Sequence, residues 1–313
     1  MKTTLAVSTT SFALSLLLLA APATSRADNV FVANAGNNTI EEFNSSGTDL
    51  GVFASSGLDD PTALAVDSSG NLYAANAGNN TIEKFNSSGV GTLFAYVGVN
   101  NPQGLAFDNA GNLYVSNLGG RTIEEFNSSG AGTVFASSGG FAFGPFGVAV
   151  DSAGNVYVAT DNDPNTDIEK FNSSGVLTLS AFLGYNLSQG SLAFYGGNLY
   201  LAITGNNTIE KFNSSLVGTV VAFGLNTAGL DEPEGMAFDS GGNLFVANNG
   251  NNTVEEFSNP VGLGNGIGTV FASSGLDEPT GIATQVPEPA TWAMVAMGIG
   301  VVLRGRRLRR RSC

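Results

Sequence analysis

The chain has 313 residues, of which only 12% are charged and 42 are glycine, while hydrophobic residues at 42% suffice for a substantial core. It contains no histidine and one cysteine, Cys313, which excludes a Ser-His-Asp or Cys-His nucleophilic site, a His-ligated zinc and a disulfide framework. From Asp28 to Gln285 four bases stand against twenty-five acids, a formal charge of −21, and such a surface repels phosphate backbones and excludes nucleic acid as a partner.

In chain order, the first element is an export signal over residues 1–27. Lys2 precedes an apolar run from Phe12 to Ala21, and Ser25-Arg26-Ala27 sets small residues at −3 and −1 of a cleavage after Ala27. The apolar run is well short of the roughly 20 residues that span a bilayer. Signal peptidase is therefore an expected partner during export.

Residues 28–285 are six copies of one unit. The segment T-I-E-[EK]-F recurs at Ile40, Ile82, Ile123, Ile168, Ile209 and Val254, spaced 42, 41, 45, 41 and 45 residues apart. A strand of the type G-N-L-Y-V-A-N precedes each copy. N-S-S-G and an apolar strand such as Gly132–Ala136 follow it, and then comes a P-x-G-L-A-F-D strand such as Pro102–Asp108. Four short strands between Gly, Asn, Ser and Asp turns predict an all-β unit, and that period predicts propeller blades. The Ile and Phe of T-I-E-K-F are three apart and point to opposite faces, as a blade wedged between two neighbours requires. The first copy lacks its first strand, and Pro279–Thr284 is a first strand without successors. Together they predict six four-stranded antiparallel blades, closed by a C-terminal strand joining blade one.

The repeat resembles the NHL family in its proline, its glycine-apolar strand, its Asp, and its Gly-Asn-Leu-Tyr-Val-Ala strand. The resemblance covers most of the chain and implies a six-bladed propeller, a fold that serves many activities. In the family the second strand ends in Asp; here it ends in Asn34, Asn76, Asn117 and Asn248, with Thr160 and Ile203 in the other two blades. These asparagines and Arg121 form the expected ligand face. The same face gathers loop carboxylates, among them Asp59, Asp60, Asp231, Glu232, Glu234, Asp277 and Glu278. In loops rich in Gly, Asn and Ser they are expected to be solvated, with ordinary pKa values. Six-bladed lactonases and gluconolactonases bind calcium at the channel mouth, so the resemblance implies calcium as the one candidate cofactor.

The segment Asp161 to Asp167 sets oxygen side chains at alternate positions, Asp161, Asp163, Asn165 and Asp167, like the start of a calcium loop. It lacks the glycine at the sixth position and has Asn172 at the twelfth, and a blade-four insertion of Asx-turn residues explains it equally well. The first glutamates of the third strands, Glu41, Glu83, Glu124, Glu169, Glu210 and Glu255, are expected on a solvated rim. Asp67, Asp108, Asp151 and Asp239 open D-x-x-G-N turns and are expected to bond the turn backbone.

Residues 286–313 form the last element. Val286-Pro287-Glu288-Pro289 precedes fourteen uncharged residues, Ala290 to Leu303, and then arginines from Arg304 to Arg311. This is a short apolar helix held at the cytoplasmic side by its basic end, with transient membrane contact. The order resembles the PEP-CTERM sorting signal of Gram-negative bacteria that make exopolysaccharide, which implies processing by an exosortase at Pro287, Glu288 and Pro289. The expected function is a non-enzymatic binding or structural module, exported to the cell surface or extracellular matrix, with polysaccharide or a surface protein as partner. The competing expectation is a calcium-dependent hydrolase or lyase with its site at the channel mouth. No catalytic residue is assigned.

Overall fold

The computed structural model describes residues 29–137, 144–162, 165–184, 190–223, 229–258 and 268–285. Blade one contains β1 (Asn29–Asn34), β2 (Thr39–Phe43) and β3 (Asp49–Ala54). Blade two is β4 (Pro61–Val66), β5 (Leu72–Asn76), β6 (Thr81–Phe85) and β7 (Gly91–Ala95), and blade three is β8 (Pro102–Phe107), β9 (Leu113–Asn117), β10 (Thr122–Phe126) and β11 (Gly132–Ser137). Blade four runs through β12 (Pro145–Val150), β13 (Val156–Asn162), β14 (Asn165–Phe171) and β15 (Leu177–Phe182). Blade five has β16 (Leu192–Tyr195), β17 (Asn198–Ile203), β18 (Thr208–Phe212) and β19 (Gly218–Phe223). Blade six has β20 (Pro233–Phe238), β21 (Leu244–Asn248), β22 (Thr253–Phe257) and β23 (Thr269–Ala272), and β24 (Pro279–Gln285) is the last described strand.

Each blade is a four-stranded antiparallel sheet. Blade one is built from both ends of the propeller in the order β24-β1-β2-β3. Asn29 pairs with Gln285, Val30 with Thr284 and Val32 with Ile282, so the expected closing strand is present in register. β1 is buried along its whole length, because β24 and β2 cover its edges and adjacent blades its faces.

Six apolar cores hold the ring, one between each pair of adjacent blades. The isoleucine of a third strand enters the core shared with the following blade, where it meets that blade's third-strand phenylalanine. Ile40 thus shares a core with Phe85, Ile82 with Phe126, Ile123 with Phe171, Ile168 with Phe212 and Ile209 with Phe257. Val254 and Phe43 close the circle. Each such side chain removes about 1.5–3 kcal/mol of exposed apolar surface from water, and the repeat has one at every interface.

The turns on the opposite end of the blades work as expected. Oδ1 of Asp67 accepts from the backbone N–H groups of Ser69 and Asn71, both at 2.9 Å, and Asp108 and Asp151 repeat the arrangement. The N-S-S-G turns use Asn44, Asn86, Asn127, Asn172 and Asn213 in the same way.

Candidate functional site

The loops that enter the innermost strands surround one end of the central channel. Asp60, Asn101, Glu232 and Glu278 each stand one residue before the strand's proline, in the left-handed region with φ of 49°, 49°, 49° and 50°. That conformation costs a residue bearing a Cβ about 1 kcal/mol. A contact from the preceding blade offsets it. The side-chain oxygens of Asn38, Asn80, Asn207 and Asn252 accept the backbone N–H of these four residues at 2.7, 2.5, 2.8 and 2.8 Å. Arg121 takes the place of this asparagine in blade three, exposed and with φ of 53°.

The asparagines expected to face a ligand lie beneath these loops. Asn34, Asn76, Asn117 and Asn248 are all 0% exposed. Asn76 donates to the Gly57 carbonyl at 2.9 Å and to Thr81 Oγ1 at 3.1 Å, and accepts from the N–H of Asp59 at 3.2 Å. Asn34 and Asn117 make the same three bonds to their own loops. Asn248 accepts from Asp231 and donates to Thr253. Asparagine where the family has Asp is explained by this double duty, since a carboxylate has no N–H to donate to a carbonyl. Of the expected ligand face only Arg121 is at the surface. Blades four and five have Thr160 and Ile203 at this position.

Around the axis, Thr62, Gln103, Phe146 and Glu234, each at the second position of its innermost strand, and Gly190 ahead of β16 face the channel. They line a cavity with about 80 Å³ open to water-sized molecules. Two threonines tie neighbouring blades together, Thr62 donating to the Pro102 carbonyl at 2.8 Å and Thr280, at the matching position of β24, to that of Pro61 at 2.5 Å. Gln103 donates to Asn101 at 2.8 Å. Glu234 is the one ionisable group in this lining. Burial, and then the charges of Glu232, Asp60 and Glu278, push its pKa up to about 7. The expectation of ordinary pKa values therefore fails at Glu234, because Pro233 already starts β20 and the glutamate belongs to the channel wall, not to a loop.

Other acidic residues are parts of the loop construction. Asp59, Asp231 and Asp277 rest against Gly78, Gly250 and Gly36, where an added Cβ would come within 2.6, 2.8 and 2.8 Å of the carboxyl group. Among the described residues no group of three or more Asp or Glu is placed to hold a metal ion. The proposed calcium segment continues the β13–β14 ladder, with Asp161 paired to Thr166 and Asp167 to Thr160. Asp163 and the side chains of Asp161 and Asn165 lie outside the described residues, as do the processing positions Ala27, Pro287, Glu288 and Pro289.

The third-strand glutamates contradict the expectation of a solvated rim. Glu41, Glu83, Glu124, Glu169 and Glu255 are buried, Glu255 to 1% exposure. Both faces of a blade are interior, so alternation carries no wet side here. Each glutamate shares its face with the phenylalanine of its own strand, and Glu41, Glu83, Glu124 and Glu255 are also roofed by a glycine. A Cβ on Gly57 would come within 3.0 Å of Glu83, and one on Gly268 within 2.7 Å of Glu255. Both Oε atoms of Glu255 lack a hydrogen-bond partner. Burial raises the pKa of Glu83, Glu124, Glu169 and Glu255, and that of Glu41 with help from Asp49; Asp167 adds to the shift of Glu169.

Comparison with known proteins agrees with this architecture. The NHL repeat matches residues 230–257, and the PEP-CTERM protein-sorting motif matches residues 285–311. No curated protein matches the chain in sequence. A chain from a nidogen/laminin complex is similar in fold with a TM-score of 0.69 and 19% identity, over 84% of this chain and 100% of its own length. A Bacteroides caccae protein of unknown function gives 0.63 and 14% over 83% and 99%. A catalytically inactive virginiamycin B lyase from Staphylococcus aureus, solved with quinupristin, gives 0.58 and 14% over 84% and 94%. At these identities the likeness shows the fold alone. The chain is thus a six-bladed, four-stranded propeller that carries an NHL repeat and ends in a PEP-CTERM sorting motif.

Proposed function

We propose that the protein is exported and works at the cell surface or in the extracellular matrix as a non-enzymatic binding or structural module. The sorting motif indicates export and points to an exosortase as processing partner. The observation that carries the non-enzymatic reading is the axial lining. An enzyme needs several unlike groups converging on one reacting atom, and here one carboxylate faces the cavity while the threonine hydroxyls are engaged in linking blades. The nidogen/laminin structure shows this fold in an assembly between proteins, which fits a module that associates. Its ligand would be extracellular polysaccharide or a surface protein. Co-sedimentation of the purified exported protein with the extracellular polymer of producing cells tests this reading. Retention in the polymer fraction is expected, and a protein that stays wholly in the supernatant would overturn it.

One observation favours a second reading, a calcium-dependent hydrolase or lyase. A glutamate in the channel wall whose pKa is pushed up to about 7 is suited to general-base work. Against it, the similar lyase is inactive in a form that has lost a histidine, and this chain has none.

A further inference from the structure

The turns that follow the innermost strands lie at the end of the channel opposite the acidic mouth. In blades two, three, four and six they open with Asp67, Asp108, Asp151 and Asp239, whose N–H groups donate to the asparagine carbonyl four residues on. Blade five departs from this pattern. Tyr195 takes the aspartate's place and pairs directly with Asn198, so Gly196 and Gly197, with φ of 57° and 79°, make a turn one residue shorter. The Tyr195 ring leans towards blade six, where it stacks on Phe238 at 4.6 Å and its hydroxyl lies against Gly242. On its other side a cavity opens among the strand ends and turns of blades three, four and five, with about 360 Å³ open to water-sized molecules. That falls in the roughly 300–1,000 Å³ range of small-molecule sites.

Phe107, Val150 and Phe194, each half-buried, give the cavity apolar walls, and Phe194 is held by stacking on Tyr157 at 5.4 Å. Asn109 and Ser152 form an exposed rim, and Asn109 Nδ2 donates across the blade boundary to the Ser152 carbonyl at 3.2 Å. The carboxylates of the lining are already engaged. Asp151 accepts from the N–H groups of Ala153 and Asn155, from Asn155 Nδ2 and from the Tyr157 hydroxyl, which fills the roughly four lone-pair sites of a carboxylate. Asp108 accepts from the N–H groups of Ala110 and Asn112 and from Asn112 Nδ2. A cation must displace these donors to bind, and the lining has no base to attract an anion. Apolar walls beneath an uncharged, hydrogen-bonding rim suit a sugar ring, which has C–H faces and a hydroxyl edge. We propose that this cavity binds a neutral sugar unit of an extracellular polysaccharide. The inference rests on the binding-module reading and gives it a site, at the end of the channel away from Glu234.

Calorimetric titration of the purified exported protein tests it, with cellotetraose, laminaritetraose, mannotetraose and galactotetraose as neutral probes and tetragalacturonate and tetralysine as charged ones. At least one neutral probe is expected to bind, and neither charged one. Ser152→Trp places an indole at the cavity rim and raises the Kd by about tenfold or more. Ser68→Trp, at the matching turn position of blade two and outside the cavity, leaves the Kd unchanged. Both variants keep the parent's melting temperature. Binding of no neutral probe overturns the proposal, as does binding of a charged probe alone, or a Kd that Ser152→Trp leaves unchanged or Ser68→Trp raises equally. Co-sedimentation with the extracellular polymer separates the two readings. A parent that is retained while Ser152→Trp is released supports this site, and equal retention of both overturns the site alone. A parent that is not retained overturns the binding module itself.

Discussion

Glu234 is half-buried in the channel wall, which shields it partly from water, and sits among Glu232, Asp60 and Glu278, so its folded-state pKa rises from 4.5 to about 7. A carboxyl group raised on folding holds its proton more tightly in the native state. Its contribution is complete below pH 4.5 and is lost as pH climbs through about 7. A shift of that size corresponds to about 3 kcal/mol. The buried glutamates Glu41, Glu83, Glu124, Glu169 and Glu255 are shifted in the same direction. Stability therefore declines from mildly acidic to neutral pH, and Glu234→Gln removes that residue's share of the decline. Urea midpoints of parent and variant from pH 4 to pH 8 measure it. The variant is expected to gain stability over the parent as pH rises, and parallel profiles would count against the buried, acidic setting described for Glu234.

At the scale of strands, the repeat was legible because its chemistry is redundant. T-I-E-[EK]-F places Ile and Phe on opposite faces, and the six interblade cores use both. The turns were legible for a local reason, since Asp and Asn side chains bond backbone two and four residues on without help from the rest of the fold. What alternation could not reveal was that neither face of a third strand is wet, so Glu83 and its counterparts were misplaced on a solvated rim. The reach of Asn76 beneath its loop was equally hidden, because the Gly57 carbonyl it meets is brought there by the adjoining strands. Closure is the strand-scale feature open to direct test. Deleting Pro279–Thr284 uncovers the edge of the wholly buried β1, exposing unpaired backbone N–H and C=O groups beside apolar side chains, which invites aggregation. The deleted protein is expected to melt lower and to associate, as read by thermal unfolding and size-exclusion chromatography. An unchanged melting temperature in a monomeric deletion variant would show that β24 does not close the ring.

Over the whole molecule, sequence and structure divide the labour plainly. The chain carries a sorting motif over residues 285–311, and the ring before it offers an acidic mouth, a channel with one carboxylate in its lining, and apolar outer edges. The candidate site was only partly readable from sequence, because ligand-facing and loop-supporting residues share the same types. Asn34, Asn76, Asn117 and Asn248 belong to the support, whereas Glu234, hidden among loop carboxylates in the sequence, belongs to the channel. With no histidine and one axial carboxylate, a hydrolase here would rest on Glu234 alone or on a cation it helped to hold. Turnover of lactone, ester and glycoside substrates by the purified exported protein, with calcium present, is the most direct measurement. No turnover is predicted for the parent or for Glu234→Gln, and turnover by the parent that Glu234→Gln abolishes would contradict the binding-module account.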